Sequence, residues 1–358
     1  MDSPTHRLSD DPDSPTIDQF IEFCVSQFSY KSPAPPQSYF YKHFHSDPHR
    51  IQSKKTTDNG QGSVFVKLGD FDQIVSSVRV FSRQMHWNNK VITMCGIGEV
   101  ATASSHRRKG LSKSLLRDAI EVMFLPIVED EVSWVSGFGA DLSLLHAAVA
   151  FRPFYQSLGY QSTPPIPYVT VNISLPPIPP IPAKNEIPIS TISTDTSKLP
   201  QTLAKSMAAT HNRANLNLTG TVIRNADYFQ TWFLADAERF VDGQGGGLRY
   251  LSDEAVVSAW VVLKHASPNQ WEVRDFGFND ASEITSELLA FQHLVSGILK
   301  DGDNVKMLQK LADILLPSGY ETAATVEYDD GWMYYLKDGS KIDDEEVVSM
   351  TFHAADGF

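Results

Sequence analysis

The sequence has little cysteine and no long hydrophobic run, and both shortages restrict what the protein can be. Its 358 residues include two cysteines, Cys24 and Cys95, which predict neither a disulfide framework nor a metal site. No apolar stretch reaches the roughly 18 residues of a membrane-spanning helix. The polar start, MDSPTHR, has no signal-peptide core. We therefore expect a cytoplasmic protein with no metal and no membrane partner.

Positive charge is also scarce. The chain has 30 lysine and arginine residues against 43 aspartate and glutamate residues, a net charge of −13 at pH 7. This balance argues against nucleic acid or an anionic membrane as the main partner and is compatible with a cationic small molecule. The 42% hydrophobic and 11% aromatic content is typical of a globular protein, and the length favours two domains.

Proline divides the chain. The segment LPPIPPIP at residues 175–182 reads as a stiff, polyproline-like connector. The predicted organisation is a disordered N-terminus at 1–15, a first domain at 16–175, a linker at 176–188 and a second domain at 189–358.

Hydrophobic spacing predicts the elements of the first domain as two short helices followed by strands and crossover helices, which together indicate a mixed sheet. Thr16 is placed to cap the first helix. The first helix has its apolar residues at Phe20, Ile21, Cys24, Val25 and Phe28. The other predicted segments are a helix at Tyr39–Phe44, strands at Ser63–Leu68, Ile74–Phe81 and Val91–Thr102, a helix from Leu111 to Pro126, a short strand at Ser133–Phe138, a helical run at Leu142–Ala150 and a strand at Pro167–Leu175. In the second domain, the segment Val305–Leu315 is predicted as one helix.

A basic turn between the third strand and the long helix organises the first domain. The helix is only beginning there, so the amides of the turn lack intrahelical partners, and the helix dipole favours an anion beside them. Gly110 would let a ligand approach the backbone closely. The turn therefore predicts a pyrophosphate site. Its residues are Arg107, Arg108, Lys109, Gly110, Leu111 and Ser112.

Two motifs of this domain resemble those of the GNAT N-acetyltransferases. Arg107-x-x-Gly110-x-Ser112 is similar to their Arg/Gln-x-x-Gly-x-Gly/Ala signature, which binds the pyrophosphate of acetyl-coenzyme A, and departs from it at Ser112. The later segment from Tyr155 to Tyr160, YQSLGY, resembles their Tyr-x-x-Leu/Phe-Gly-Phe/Tyr segment. The resemblance implies an α/β fold with a mixed twisted sheet of GNAT type and acetyl-coenzyme A as co-substrate.

The overall layout resembles the fungal lysine N6-acetyltransferases, which pair a GNAT domain with a GNAT-like second domain. The motifs are also similar to those of the mycobacterial enhanced-intracellular-survival acetyltransferases, in which a C-terminal carboxylate lies in the active site. In the second domain, the turn at Asn279–Ser282 has no glycine and no basic residue, and Asp280 would repel a phosphate. We therefore expect this domain to be a degenerate GNAT-like fold without a working cofactor site.

These resemblances imply an N-acetyltransferase that acts on an amine by direct attack on the thioester. The expected acceptor is the side-chain amine of free L-lysine, which would place the protein in amino-acid metabolism. Two alternatives remain open, a peptide or protein lysine acetyltransferase and a non-catalytic acetyl-coenzyme A-binding or scaffold protein. The oligomeric state is not predicted.

The chemistry needs an aligned thioester, a proton acceptor for the amine and an acid for the leaving thiolate. The backbone of Val100, Ala101 and Thr102 is the candidate for alignment, and the resemblance assigns Tyr155 the role of the acid. Glu99 is the candidate base on the strand. The carboxylate of Phe358 is a second candidate, as a base or as an anchor for the ammonium. Weaker candidates are Arg79, His86 and His146.

Overall fold

The computed structural model describes most of the chain as two twisted sheets with helices packed against them. The residues described are 4–8, 15–30, 34–48, 63–127, 137–173, 189–191, 199–234, 240–242, 244–253, 256–279, 287–316 and 324–338. Within these ranges, no helix combines the length and the apolar character needed to cross a membrane.

The first part of the chain alternates between helices and strands. Its elements are β1 (Thr5–Arg7), α1 (Ile17–Phe28), α2 (Gln37–His45), β2 (Val64–Leu68), β3 (Ile74–Trp87), β4 (Lys90–Thr102), α3 (Leu111–Phe124), β5 (Leu142–His146), α4 (Arg152–Gln156), β6 (Gln161–Ser162) and β7 (Ile166–Asn172).

The second part is richer in antiparallel strands. Its elements are β8 (Ile189–Thr191), α5 (Gln201–Ala214), β9 (Thr221–Val222), α6 (Ala226–Tyr228) with a π-helical continuation (Phe229–Phe233), β10 (Gly247–Asp253), β11 (Val256–Ser267), β12 (Gln270–Phe278), α7 (Glu287–Val295), β13 (Asn304–Leu308), α8 (Gln309–Leu315), β14 (Ala324–Asp329) and β15 (Trp332–Leu336).

The two sheets exchange strands. The first runs β1-β2-β3-β4-β5-β15-β6, with β9 beside β3, and the second runs β14-β7-β13-β12-β11-β10-β8. Strand β7 precedes the predicted linker yet pairs with β13 and β14, whereas β15 from the end of the chain pairs with β5. The predicted mixed α/β class is confirmed. The predicted division at 176–188 stays a prediction, because those residues lie outside the described ranges.

Helices cover both faces of the first sheet. Helix α3 packs its predicted apolar stripe on one face, and α1 and α2 pack on the other. The stripe residues buried in the α3 face are Leu115, Leu116, Ala119, Ile120 and Met123. Thr16 caps α1 as predicted, since its Oγ1 accepts from the Gln19 amide at 3.2 Å while the Gln19 side chain accepts from the Thr16 amide at 2.7 Å.

Two predicted helices are wrong in whole or in part. The run Leu142–Ala150 contains β5, whose paired positions are almost fully buried between β4 and β15. A strand covered on both faces has a continuous apolar run that periodicity cannot distinguish from a helix. The segment Val305–Leu315 likewise begins as strand β13, and only its second part forms α8. The predicted strand at Ser133–Phe138 lies largely outside the described residues.

Residues at the start of the chain form an edge strand where the sequence predicts disorder. Thr5–Arg7 pairs antiparallel with β2, and the following Leu8 is buried. The free edge of β2 offers hydrogen bonds to any extended segment, and Leu8 adds an apolar anchor. Only residues 4–8 of the predicted 1–15 tail and its last residue, Pro15, are described.

Candidate active site

A β-bulge in β4 decides where Glu99 points. The register between β3 and β4 shifts opposite Val78, and Glu99 has a positive φ of 51°. Ile97 packs on the α3 face, and regular alternation would place Glu99 on that face as well. The extra residue of a bulge changes this alternation. As a result, the Glu99 side chain contacts α2 on the opposite face, through His43.

The predicted pyrophosphate turn has the backbone of an anion site. Gly110 lies at the N-cap of α3 with φ +82°, and a Cβ built on it would meet nothing within 4 Å. The glycine therefore faces open space at the start of a helix, where amides and dipole favour an anion. Arg107, Arg108 and Lys109 are exposed around it. The six residues of the predicted pyrophosphate site, Arg107–Ser112, are called the cradle below; they comprise this turn and the first two residues of α3.

Hydrogen bonds join the turn to the end of β4. The hydroxyl groups of Thr102 and Ser112 contact each other, and Arg107 Nε donates to the Thr102 carbonyl at 3.2 Å. Ser76 Oγ donates to the Ala101 carbonyl at 2.9 Å from the neighbouring strand. The departure from the motif at Ser112 thus has a structural consequence: its hydroxyl connects the first turn of α3 to the strand.

Strands β4 and β5 diverge beside the bulge. Their parallel ladder pairs Met94, Cys95 and Gly96 with residues of β5 and then stops, although both strands continue. The segment from Ile97 to Thr102 therefore has no ladder partner on the β5 side within the described residues. Its amides and carbonyls are strong hydrogen-bonding groups. The predicted alignment residues Val100, Ala101 and Thr102 belong to this segment.

Tyr155 lies on α4, packed at the edge of the α3-face cluster. Burial raises the pKa of its phenol to about 12. The hydroxyl therefore keeps its proton at neutral pH, as a group that is to donate one must. Its neighbour Tyr160 is fully buried, and its hydroxyl lies 2.7 Å from Ser143 Oγ. The two tyrosines of the motif thus differ: Tyr160 is hydrogen-bonded within the core, and Tyr155 is at its margin.

Glu99 is the centre of a buried ionic cluster. Its Oε1 lies 3.1 Å from His43 Nδ1 and 3.5 Å from Arg79 Nη1. Burial alone would raise the pKa of Glu99, but the Arg79 charge and the His43 hydrogen bond outweigh it and lower the pKa below its ordinary value. The carboxyl group is therefore ionised at neutral pH.

A second carboxylate completes the cluster. Asp47, just after α2, pairs with Arg79 at 3.0 Å and with Arg83 at 2.9 Å. The Arg79 guanidinium lies 4.3 Å from the centre of the Phe81 ring, and the Arg83 guanidinium lies 5.0 Å from that of Trp232. Two carboxylates and two arginines thus balance each other's charge among aromatic rings.

The three weaker candidates for the catalytic base lie in different parts of the structure. Arg79 belongs to the cluster around Glu99. His86 is buried farther along β3, where it pairs with Thr221 of β9. His146 lies half-exposed and contacts Asp329 at 2.8 Å. Phe358 lies outside the described residues, so its predicted role is untested. No group of residues within the described ranges is arranged to hold a metal ion.

Sequence reasoning missed three residues of this site, namely His43, Asp47 and Trp232. The segment Tyr39–Phe44, predicted only as a short helix, lies in α2, and its His43 contacts Glu99. Nothing local distinguishes His43 from His45 in this segment. Trp232 reaches the site from the second part of the chain, and no pattern near Glu99 points to it.

The comparisons with known proteins agree with this geometry. Residues 37–163 match the family model for the acetyltransferase (GNAT) domain, which spans α2, the bulged strand, the cradle and Tyr155. No curated protein sequence matches the chain.

Several solved structures are similar to the chain in fold. A GCN5-related N-acetyltransferase from Kribbella flavida has 14% identity and a TM-score of 0.60, over 94% of this chain and 71% of that one. A conserved protein of unknown function from Enterococcus faecalis V583, described as a probable N-acyltransferase, has 16% identity and a TM-score of 0.59, over 94% and 72%. Eis1 from Mycobacterium abscessus has 13% identity and a TM-score of 0.55, over 93% and 74%.

These likenesses extend over both sheets, which supports a second GNAT-like half, and they include a mycobacterial relative of the type that the motifs predicted. The resemblance to the fungal lysine acetyltransferases stays a prediction. The cradle, the bulged strand and the match to the acetyltransferase (GNAT) domain model all lie on one continuous stretch, residues 37–163.

Proposed function

We propose that the protein is an acetyl-coenzyme A-dependent N-acetyltransferase of a small-molecule amine. The observation that carries this proposal is the cradle: Gly110, left-handed and facing open space, begins α3 directly after β4 diverges from β5. This geometry offers an anion site and, beside it, a strand segment that has no ladder partner on the β5 side within the described residues. Both are what a long, pyrophosphate-bearing thioester needs.

The residues that would hold the co-substrate are those predicted from the sequence. The amides of Arg107–Ser112 would bind the pyrophosphate, with Arg108 and Lys109 adding positive charge at the exposed rim. The backbone of Val100–Thr102 would align the acyl arm. When bound, acetyl-coenzyme A supplies the activated acetyl thioester. The opening between β4 and β5 would connect the cradle on the α3 face with Glu99 on the α2 face.

The chain's own groups have matching roles in the transfer. Tyr155, protonated at neutral pH, would donate its proton to the leaving thiolate. The acceptor amine must lose a proton, and the sequence predicts Glu99 or the Phe358 carboxylate as the group that receives it. Glu99 lies in the site, on the face opposite α3. The role of Phe358 stays a prediction, as does a cytoplasmic location.

Free L-lysine is the acceptor that we propose. Its support is the resemblance of the whole layout to the fungal lysine N6-acetyltransferases, since the motifs specify the co-substrate much better than the amine. The enclosed, charge-balanced cluster around Glu99 and Asp47 favours a compact acceptor over a protein surface. A peptide or protein lysine remains the second candidate.

One assay tests the proposal. Thiol release from acetyl-coenzyme A would be measured with free lysine, with a lysine-containing peptide blocked at its ends, and without amine. Release that depends on free lysine supports the proposal, and release with the peptide alone would favour the second candidate. Calorimetric binding of acetyl-coenzyme A without release in any arm would instead indicate a non-catalytic binding protein.

A further inference from the structure

The two oxygens of Glu99 are both enclosed. Oε1 contacts His43 and Arg79, and Oε2 is buried without a hydrogen-bond partner among the described residues. The carboxylate side chain is 7% exposed. An acceptor amine could therefore reach Glu99 only if the cluster opened. The imidazole of His43 is in direct contact with this carboxylate.

The imidazole of His43 lies between the carboxylate of Glu99 and three aromatic rings. Its ring lies 4.2 Å from that of Trp232, 5.4 Å from that of Tyr39 and 5.5 Å from that of Phe81. The side chain is 14% exposed, twice the fraction of Glu99. Its Nε2 makes no hydrogen bond within the part of the chain that the structure describes.

The charge state of Glu99 sets the tautomer of His43. An ionised carboxylate can only accept a hydrogen bond, so Nδ1 of His43 must carry the proton that it donates. In a neutral imidazole, Nε2 then has a lone pair. A histidine oriented by a carboxylate through Nδ1 and free at Nε2 has the arrangement of a general base.

The surroundings of His43 keep its ring neutral at physiological pH. Burial lowers the pKa most; Glu99 and Asp47 raise it, Arg79 lowers it, and the net pKa is below the ordinary value. Arg83, the other nearby charge, is paired with Asp47. The remaining neighbours are the three aromatic rings.

We infer that His43 is the catalytic base of the acetyl transfer and that Glu99 is a positioning residue behind it. The inference rests on the proposed function. As the amine nitrogen forms its bond to the acetyl carbon, Nε2 of His43 takes the amine proton. Glu99 holds the ring and stabilises the imidazolium. The carbon–sulfur bond breaks and the thiolate takes the proton of Tyr155. The imidazolium then loses its proton to solvent, from which Tyr155 regains one, so both groups return to their starting states.

Two variants of the full-length protein test the assignment by their kcat, and a third, Glu99→Gln, tests it by its pH profile. His43→Asn keeps an amide donor near the position of Nδ1 and removes Nε2. His45→Asn is the matched control, since His45 lies on the same helix and stacks on the exposed Tyr41 instead. We expect His43→Asn to lower kcat by about 10²- to 10⁴-fold with the Kd for acetyl-coenzyme A unchanged, and His45→Asn to keep the wild-type kcat.

The pH profile distinguishes a base from a merely structural histidine. Activity needs neutral His43, so kcat/KM of the wild type should fall as the pH drops through a pKa below about 6.5. Glu99→Gln removes a charge that raises this pKa, so its acid limb should move to lower pH while kcat also falls. His43→Asn should lose the limb. If His43 had a role in folding alone, Glu99→Gln would not move the acid limb and His43→Asn would keep it.

Two further results complete the test. If His43→Asn does not fold, nitrogen NMR of the wild type with ¹⁵N-histidine replaces it, and a proton found on Nε2 instead of Nδ1 of His43 overturns the assignment. An active wild type whose kcat and acid limb survive His43→Asn also overturns it and leaves the proposed function standing. A wild type that releases no thiol with any amine overturns both.

Discussion

The indole ring of Trp232 lies 4.2 Å from the imidazole ring of His43, with 41° between their planes. Trp232 belongs to the π-helical segment Phe229–Phe233, in the second part of the chain, whereas His43 belongs to α2, in the first part. The second part of the chain therefore supplies a wall of the candidate active site, in addition to a strand of the first sheet.

Replacing Trp232 should weaken binding of the acceptor amine. Trp232→Leu removes the aromatic face beside His43 and the cation–π contact with Arg83, which is worth about 0.5–2 kcal/mol. We expect KM for the amine to rise by roughly 3- to 30-fold, with the Kd for acetyl-coenzyme A unchanged. Trp271→Leu is the control: Trp271 is as buried and lies 4.7 Å from His265 in the second sheet. An equal rise in both variants would contradict this role.

Gly110→Asp should abolish binding of acetyl-coenzyme A. The substitution puts a negative charge into the open space at the start of α3, where the pyrophosphate would lie, and we expect calorimetry to show a loss of at least about tenfold in affinity. Gly110→Asn separates side-chain size from charge and should bind better. Gly302→Asp is the control, because Gly302 has a similar φ of +90° and equally open surroundings in another turn. If Gly110→Asp and Gly302→Asp lowered the affinity for acetyl-coenzyme A equally, the cause would be a general effect on folding and not the charge at the cradle.

Tyr155→Phe should slow the chemical step. Loss of a general acid typically costs about 10²- to 10⁴-fold in kcat, and the Kd for acetyl-coenzyme A should change little, because only the hydroxyl group is removed and the ring stays. Tyr160→Phe should behave in the opposite way: it removes the hydrogen bond to Ser143 and costs about 1 kcal/mol of folding stability at an unchanged kcat. Steady-state kinetics with thiol detection would decide, and a full kcat in Tyr155→Phe would exclude it as the acid.

Acetyl-coenzyme A should bind once per chain. The cradle at Arg107–Ser112 has a glycine and three basic residues, whereas the sequence that follows β12, Asn279–Ser282, has neither. Titration calorimetry should give a stoichiometry of one, and Gly110→Asp should remove all of the binding heat. Two equivalent sites, or heat that survives the substitution, would show that the second half also binds.

The second half should depend on one buried ion pair for its stability. Arg224 Nη1 lies 2.6 Å from Asp275 Oδ2, and neither side chain is exposed to solvent. Asp275→Ala leaves a charge in the core without this carboxylate, and we expect the free energy of unfolding to fall by about 3–5 kcal/mol. Urea denaturation would measure it. Asp330→Ala removes the surface partner of Arg152 and should have little effect; equal losses would contradict the distinction.

Local pattern was enough to predict the cradle and the elements beside it. The bounds of α1, α3 and β4 follow from a capping residue, a helical stripe and a β-branched run, and each of these signals acts between residues close in sequence. The turn with Gly110 belongs to the same class, because a left-handed glycine before a helix is a local requirement. The conformation of this turn was therefore predictable, and its role in binding a cofactor stays a prediction.

The acceptor side was decided by tertiary structure. Whether Glu99 faces α3 or α2 depends on one extra residue in β4. The alternation of apolar and polar residues along a strand does not predict where such a bulge occurs. Leu142–His146 became a strand because two other strands flank it, one of them from the far end of the chain. The contact of His43 with Trp232 needs both halves folded together. The sequence by itself determined the turn at the start of α3, with Gly110 left-handed and facing open space, because that turn is made of neighbouring residues. Only the tertiary structure determined that Glu99 and Trp232 both contact His43, because these contacts join residues far apart in the chain.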